Sequence, residues 1–439
     1  MHRLSTGSTD SRVYVTAELA LTWDAPRVPK GREPLAEELN GFCEFGQPTR
    51  VLATPCADAS GKTREVPTFV NEFWTARQRQ ANSLHEVSYR ACFKPQLPRF
   101  FIERLTSPGD VVYDPFMGRG TTPIEAALLG RVPFGNDLNP LSIVMTRPRL
   151  RPPALGAIAE RLHEIRYDDA DERPAELLAF YHPQTLLGIA SLKKYFSRRR
   201  AARKLDAVDE WIEMVALNRL TGHSPGFFSV YTLPPNQAVS VKSQRKINER
   251  RGQTPPQRDI VAIVLKKSTQ LLKDCTSESR GALARVCDDA LLLVRPADAT
   301  RRIPDASVAL VVTSPPFLDV VQYADDNWLR CWFLDIDPKS VKLTVPSKLE
   351  AWRQAMTEVF RELHRVLKSG GHVAFEVGEI HGGKTKLEET VLPCGVAAGL
   401  EPMLVVINDQ RFTKTANCWG VDNNSKGTNT NRIVVFRKP

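Results

Sequence analysis

Apolar residues in this chain follow two rhythms. Short unbroken runs have the length and β-branched content of strands buried on both faces: Val111-Val112-Tyr113, Val308 to Val312, His372 to Val377, Met403 to Ile407 and Ile433 to Phe436. Spaced stripes between them predict helices. Leu97, Phe100, Phe101 and Leu105 form one such stripe. Trp352, Ala355, Val359, Leu363 and Val366 form another, which stops at Gly370-Gly371. Strands alternating with helices predict an α/β fold.

The first strand-helix-strand passage is the most informative. Ser107-Pro108-Gly109-Asp110 breaks a helix, and the strand Val111 to Tyr113 runs into Asp114-Pro115-Phe116-Met117-Gly118-Arg119-Gly120-Thr121-Thr122. A helix is expected next, with Thr122 as cap, Pro123 in its first turn and Glu125 completing a capping box. Ile124, Ala127 and Leu128 supply its buried face, and Gly130 closes it. A second strand, Val132 to Gly135, ends in Asn136-Asp137. Glycines in such a turn let a ligand approach the backbone closely, and Asp137 is placed for ribose hydroxyls. A dinucleotide fingerprint would need a third glycine where Pro123 stands. A tight turn that only packs helix on strand is the plain alternative.

Other regions read differently. Residues 1–70, rich in Pro, Gly, Ser, Thr and charge, predict an irregular N-terminal extension. Residues 71–150 and 286–439 carry the α/β pattern as two parts of one core. Residues 151–285 between them predict a large, mainly helical insertion, with a loop-like stretch from His223 to Val241. From Lys242 to Lys273 the insertion holds nine basic residues against two acidic ones. The whole chain carries a net charge of +10 with a pI near 9.2, which favours a polyanionic partner without specifying one.

Composition excludes several classes. Apolar residues at 42% and charged residues at 25% are ordinary for a globular chain, not a disordered one. No apolar run reaches the roughly 18 residues of a spanning helix, and Met1 to Asp10 lacks a signal-peptide core, so a cytoplasmic protein is expected. Eight cysteines form no C-x-x-C pair, so no metal site is expected.

The second informative segment is Thr313-Ser314-Pro315-Pro316-Phe317, at the C-terminal end of a buried strand, where open α/β sheets bind ligands. Two prolines fix the backbone, Ser314 and a proline carbonyl offer acceptors for an exocyclic amine, and Phe317 offers a flat face to an extruded base. A rigid turn with a core Phe is the bland alternative. Together, D-P-F-x-G-x-G-T-T and T-S-P-P-F resemble the cofactor and catalytic motifs of the amino-methylating DNA methyltransferases. The serine form resembles the cytosine-N4 branch; the adenine-N6 branch usually carries D-P-P-[YF]. The resemblance covers about Phe73 to Asp137 and about Arg295 to the C-terminus.

That resemblance implies a Rossmann-like, seven-stranded methyltransferase sheet and S-adenosyl-L-methionine as cofactor. It implies Asp114, Phe116, Gly118, Gly120 and Thr121 along the cofactor, Asp137 on its ribose and Asp298 near its adenine. Phe93-Lys94-Pro95-Gln96 resembles the segment at the methionine end. Ser314, Pro315, Pro316 and Phe317 take the catalytic roles. The motif order puts target recognition in the insertion, with Lys242, Arg245, Lys246, Arg250 and Arg251 on the phosphates of double-stranded DNA. Asn236, Gln237 and Gln244 are then candidate base readers. Such an enzyme would act on the nucleoid, with a cognate restriction or defence protein as a possible partner.

Alternatives stay open. An adenine-N6 or an RNA methyltransferase would use a similar tetrad, and a DNA-binding protein with a decayed core would keep the fold. Pro55-Cys56 and Pro393-Cys394 lie far from the catalytic strand in sequence, which disfavours carbon-5 methylation. Gly378-x-x-x-x-Gly383-Lys384-Thr385 matches a phosphate-binding loop, although too little chain follows it for an NTPase domain.

Overall fold

The computed structural model describes residues 35–57, 62–75, 81–90, 92–233, 238–316, 323–341, 348–380, 385–409 and 430–439. Eleven strands are formed among them: β1 (Arg50–Ala57), β2 (Thr63–Asn71), β3 (Val111–Asp114), β4 (Val132–Asn136), β5 (Leu291–Leu293), β6 (Val308–Thr313), β7 (Leu367–Val377), β8 (Glu379–Ile380), β9 (Thr385–Lys386), β10 (Glu401–Asp409) and β11 (Thr430–Arg437). Nine build one sheet in the order β1-β2-β10-β11-β7-β6-β3-β4-β5, and β8-β9 form a separate hairpin.

Strands β5, β4, β3, β6 and β7 run parallel, and β11 is antiparallel to both β7 and β10. Asp114, Asn136, Leu293, Thr313 and Val377 therefore end on one edge, and β11 begins there at Thr430.

Two expectations need correction here. The sheet has nine strands, not seven, because residues 50–71 form β1 and β2 instead of an irregular arm. Pro55 and Pro67 hid these strands, since proline cannot donate to a ladder. The structure tolerates both. β2 pairs with β10 only at Thr68 to Asn71, beyond Pro67, and β1 is an edge strand.

Both faces of the sheet are covered, as unbroken apolar strands require. Alternation along β7 and β11 sends Val373, Phe375, Val434 and Phe436 to one face, against Trp352, Phe360 and Leu363 of the helix Leu349–Val366. Phe360 sits 4.7 Å from Phe375 and 5.1 Å from Phe436 between ring centroids. Ala374, Ile433 and Val435 go to the other face, against Phe100, Phe101 and Ile102 of the helix Gln96–Leu105.

The chain between β4 and β5 is helical: Leu141–Leu150, Leu155–Glu164, Pro183–Ala201, Ala207–Leu217, Val241–Arg251, Ile260–Leu271 and Ser277–Val286. These helices share an apolar cluster around Trp211, Phe180 and Phe196, which Leu329 and Phe333 of the helix Tyr323–Phe333 join. Among the described residues no helix is long and apolar enough to cross a membrane.

The helix after the glycine turn, Thr121–Leu128, starts differently from the capping-box expectation. Gly120 occupies its cap in the left-handed region, with no side-chain cap bond. Thr122 Oγ1 instead donates to the Val312 carbonyl (3.1 Å), and Glu125 accepts from Arg99 Nε (2.6 Å) and pairs with His85 Nε2 (2.7 Å). Tertiary partners on β6 and in residues 85–99 outcompete the local cap. The phosphate-loop alternative also fails locally. Thr385 pairs with Ile380 in the β8-β9 hairpin instead of opening a helix, while Gly383 and Lys384 lie outside the described residues.

Candidate active site at the C-terminal edge of the sheet

The glycine turn is held from three sides. Gly118 and Gly120 both have positive φ, 51° and 79°. A Cβ on Gly120 would lie 2.2 Å from Thr146 Oγ1, so only glycine lets the turn rest on the helix Leu141–Leu150. Asn136 donates to the Pro115 carbonyl (3.2 Å) and to the Arg295 carbonyl (2.9 Å), and accepts from Arg295 N (3.1 Å). One amide thus joins the ends of β3, β4 and β5. Arg119, nearly buried, donates to the Val87 carbonyl (2.8 Å) and fastens the preceding segment over the turn. A Cβ on Gly118 would stand 3.8 Å from Tyr89 and from Cys92 of that segment, which is ordinary contact.

Asp137 ends this half of the site, half-buried. Its Oδ2 accepts from Gly118 N (2.8 Å) and its Oδ1 from Asn139 N (2.8 Å). Ser142 and the Leu138 backbone also hydrogen-bond to this carboxylate. Burial pushes its pKa upward against those bonds. Phe116 is half-buried, Thr121 is buried, and Asp298 is exposed in the turn after β5. Lys94, at the start of the helix-leading segment, has its pKa lowered by burial and by Arg119.

The Ser-Pro-Pro-Phe segment is anchored at several points. Thr313 Oγ1 donates to Asp114 Oδ1 (2.6 Å), tying the end of β6 to the end of β3. Asp114 also accepts from Phe116 N (3.0 Å), is almost completely buried, and has its pKa pushed up to about 7 by burial. Ser314 is hydrogen-bonded to Glu376 on β7. The Pro316 carbonyl accepts from Trp352 Nε1 (3.1 Å). Three elements therefore hold Thr313, Ser314 and Pro316, while Phe317 lies outside the described residues.

Glu376, Asn431, Asn136 and Trp352 are the contributors that sequence reasoning missed. Glu376 carried a signal, as the one carboxylate inside the buried run His372 to Val377.

The basic stretch resolves into a helix, Val241–Arg251, capped by Ser240 and closed by Gly252 at φ 56°. Lys242, Arg245, Lys246, Arg250 and Arg251 are exposed on it. Among the described residues none of the five forms an ion pair, and Arg251 lies 3.8 Å over the Tyr231 ring. The run Arg198-Arg199-Arg200, by contrast, is engaged with Asp169, Asp209 and Glu213. Gln244 is not available to read a base. It is fully buried and donates to the Tyr231 carbonyl (3.1 Å), as inward positions of an amphipathic helix do. Asn236 and Gln237 lie outside the described residues. The approach to this helix docks on the helix that follows the tetrad: Ala238 N donates to the Asp326 carbonyl (3.2 Å) and Trp328 Nε1 to the Val239 carbonyl (3.3 Å).

Residues 40–144, which include the glycine turn, match the N6/N4 methyltransferase family model described as DNA methylase. Curated relatives match over similarly short stretches. The Type II methyltransferase M.MjaII of Methanocaldococcus jannaschii is 32% identical over 75 residues, 17% of this chain and 14% of the relative. M.MvaI of Kocuria varians, another Type II methyltransferase, is 33% identical over 82 residues, 18% of each chain. The chain thus matches less than a fifth of the length of these relatives. Among solved structures, a TehB-like SAM-dependent methyltransferase from Corynebacterium glutamicum aligns with 78% of this chain and 87% of its own, at 9% identity and a TM-score of 0.29. The local match supports an amino-methyltransferase family; it does not separate its cytosine-N4 and adenine-N6 branches.

The buried carboxyl of Asp114 yields a prediction. Its folded pKa of about 7 lies above the ordinary 3.8, so between those values the folded state holds a proton that the unfolded chain has released. Stability from this group is therefore lost as pH rises through that window. Asp114→Asn keeps the acceptor for Thr313 and removes the titration. Thermal melts at about pH 5 and about pH 8 should show the variant gaining on the wild type at the higher pH. An equal offset at both would mean that Asp114 is ionised throughout.

Proposed function

We propose that this protein is an S-adenosyl-L-methionine-dependent DNA methyltransferase that modifies the exocyclic N4 amine of cytosine. The observation carrying the proposal is the placement of Ser314. It stands at the strand edge one residue beyond the Thr313–Asp114 bond, so the serine and the glycine turn are held in one frame. The family match over residues 40–144 supports the cofactor and the DNA substrate, and serine at position 314 supports cytosine. The relatives' designation as Type II methyltransferases supports a role as the modification arm of a restriction system.

The residues present fit the cofactor. Gly118 and Gly120 bare the backbone at a helix start, and Asp137 offers acceptors for ribose hydroxyls. Bound S-adenosylmethionine would supply a sulfonium methyl group. The target amine is a poor nucleophile because its lone pair is delocalised into the ring. Ser314 Oγ and the Pro315 carbonyl are suited to accept its two hydrogens and favour a more tetrahedral nitrogen. The Pro316 carbonyl already accepts from Trp352 Nε1. Holding the acceptors in place lowers the barrier by orientation, and no covalent enzyme intermediate is involved. The exposed basic face of Val241–Arg251 would meet the phosphates of the duplex.

Nucleoside mass spectrometry of DNA from cells expressing the protein should show N4-methylcytosine. Ser314→Ala should abolish most of it. A product consisting of N6-methyladenine alone contradicts the cytosine assignment.

Neutralising Arg245, Lys246, Arg250 and Arg251 together should weaken duplex binding in fluorescence anisotropy. The salt dependence should flatten by up to about 0.9 log unit per lost phosphate contact. Unchanged affinity and slope would place the DNA surface elsewhere.

A further inference from the structure

The nine-stranded sheet has two outer edges, and they are built differently. β5 is only Leu291–Leu293, a short edge of the kind that discourages further pairing. β1 is Arg50–Ala57, and among the described residues only β2 pairs with it. An edge strand of that length presents a row of backbone N–H and C=O groups to any strand that reaches it. Apolar side chains mark the same border. Phe45, Val51 and Leu52 are three of the seven large apolar residues exposed among the described residues, at 43%, 51% and 53%. Val51 lies opposite Phe69, so the two share a face. Phe69 is buried there with Leu35, Leu39 and Phe42, and the Phe45 ring stands 6.1 Å from that of Phe42. Among the described residues, the apolar face that the sheet buries elsewhere runs out to β1 uncovered.

The chain carries a segment of matching character. Residues 13–23, outside the described residues, read Val-Tyr-Val-Thr-Ala-Glu-Leu-Ala-Leu-Thr-Trp. Val13, Val15, Ala17, Leu19, Leu21 and Trp23 are apolar, while Tyr14, Thr16, Glu18 and Thr22 between them are polar. A period of two over such a stretch is the pattern of a strand with one buried face. In a helix the same apolar residues would be spread around the whole circumference. The segment is also tethered in the right place. Residues 24–34, with Pro26, Pro29 and Pro34, lead to Leu35, which is buried in the cluster that holds Phe69. Asn71, at the end of β2, donates to the Phe42 carbonyl (3.1 Å) and to the Gln47 carbonyl (3.0 Å), which fastens the chain after Leu35–Asn40 beside the β1-β2 pair. Extended, a connection of that length reaches roughly 36 Å, more than the roughly 27 Å of a strand the length of β1.

We propose that residues 13–23 form a tenth strand on the free edge of β1, with their apolar side laid over Phe45 and Val51. Main-chain hydrogen bonds to β1 supply the affinity, and the alternating side chains select the face. Pro55 has no N–H to give, so Arg50 to Thr54 is the part of β1 open to an unbroken ladder. A second copy of the chain could pair edge to edge through the same residues. The tethered segment outcompetes it, because a short connection holds it at an effective concentration on the order of millimolar. The proposal is independent of the reaction assigned above.

Hydrogen–deuterium exchange with mass spectrometry on the full chain tests it, with light scattering to read the oligomeric state. Two variants are compared with the wild type. One lacks residues 2–23; the other is Ala17→Pro, which removes an amide from the middle of the segment and leaves the rest in place. In the wild type, peptides from 13–23 and from 50–54 should both exchange at least about 10-fold more slowly than an unstructured chain, in a monomer. Both variants should lose the protection of 50–54 by a similar factor, while β6 and β7 keep theirs. The wild-type measurement needs no variant, so a deletion that fails to fold leaves the test intact. Unprotected 13–23 in the wild type overturns the proposal, and so does protection of 50–54 that Ala17→Pro retains. Protection of 50–54 that rises with protein concentration, together with the mass of a dimer, also overturns it and gives the edge to a second copy.

Discussion

The hydrogen bond from Thr313 to Asp114 is the constraint on which the candidate site depends. It closes the gap between two strand ends separated by 199 positions of chain. One side of it leads into the glycine turn through Phe116 N, and the other leads directly into Ser314. Without it, the turn and the tetrad would be two rigid features with no fixed distance between them. Because Asp114 is buried and carries a raised pKa, the bond sits in a setting of low polarity, where hydrogen bonds are stronger and solvent competes poorly.

Other bonds at the same edge repeat this design. Asn136 fastens the glycine turn to the loop after β5, Glu376 ties β6 to β7 and on to β11, and Trp352 anchors Pro316 from the helix layer. A row of polar side chains thus crosses the ends of six strands of an otherwise apolar sheet. Burying polar groups is tolerable only when they are paired, and here the pairing also fixes the positions of the residues proposed to act on the substrate amine.

Much of this was legible in the sequence, and the failures have physical causes. Buried parallel strands announce themselves as apolar runs, and β3, β6, β7, β10 and β11 lie where those runs are. The positive φ at Gly118 and Gly120 follows from the turn that the strand-to-helix passage demands. The strands β1 and β2 were obscured by Pro55 and Pro67, whose cost disappears only once the extent of pairing with β10 is known. The capping box at Thr122 and Glu125 was a sound local reading overridden by partners from other elements. Gln244 illustrates a further limit: its amide resembles a base reader until the helix face it occupies is fixed by packing. Glu376 and Asn431 could be paired only by sheet order, since they come from strands that are neighbours in space and distant in sequence.

The central claim is that the glycine turn and Asp137 form a cofactor site in the same frame as Ser314. Calorimetric titration of the full-length protein with S-adenosylmethionine, in the wild type and in folded Asp137→Ala, tests it most directly. The account predicts one binding site in the wild type and an affinity about 10-fold or more lower in the variant, from the loss of charged acceptor bonds. No binding by the wild type, or equal affinity in the two proteins, would contradict it.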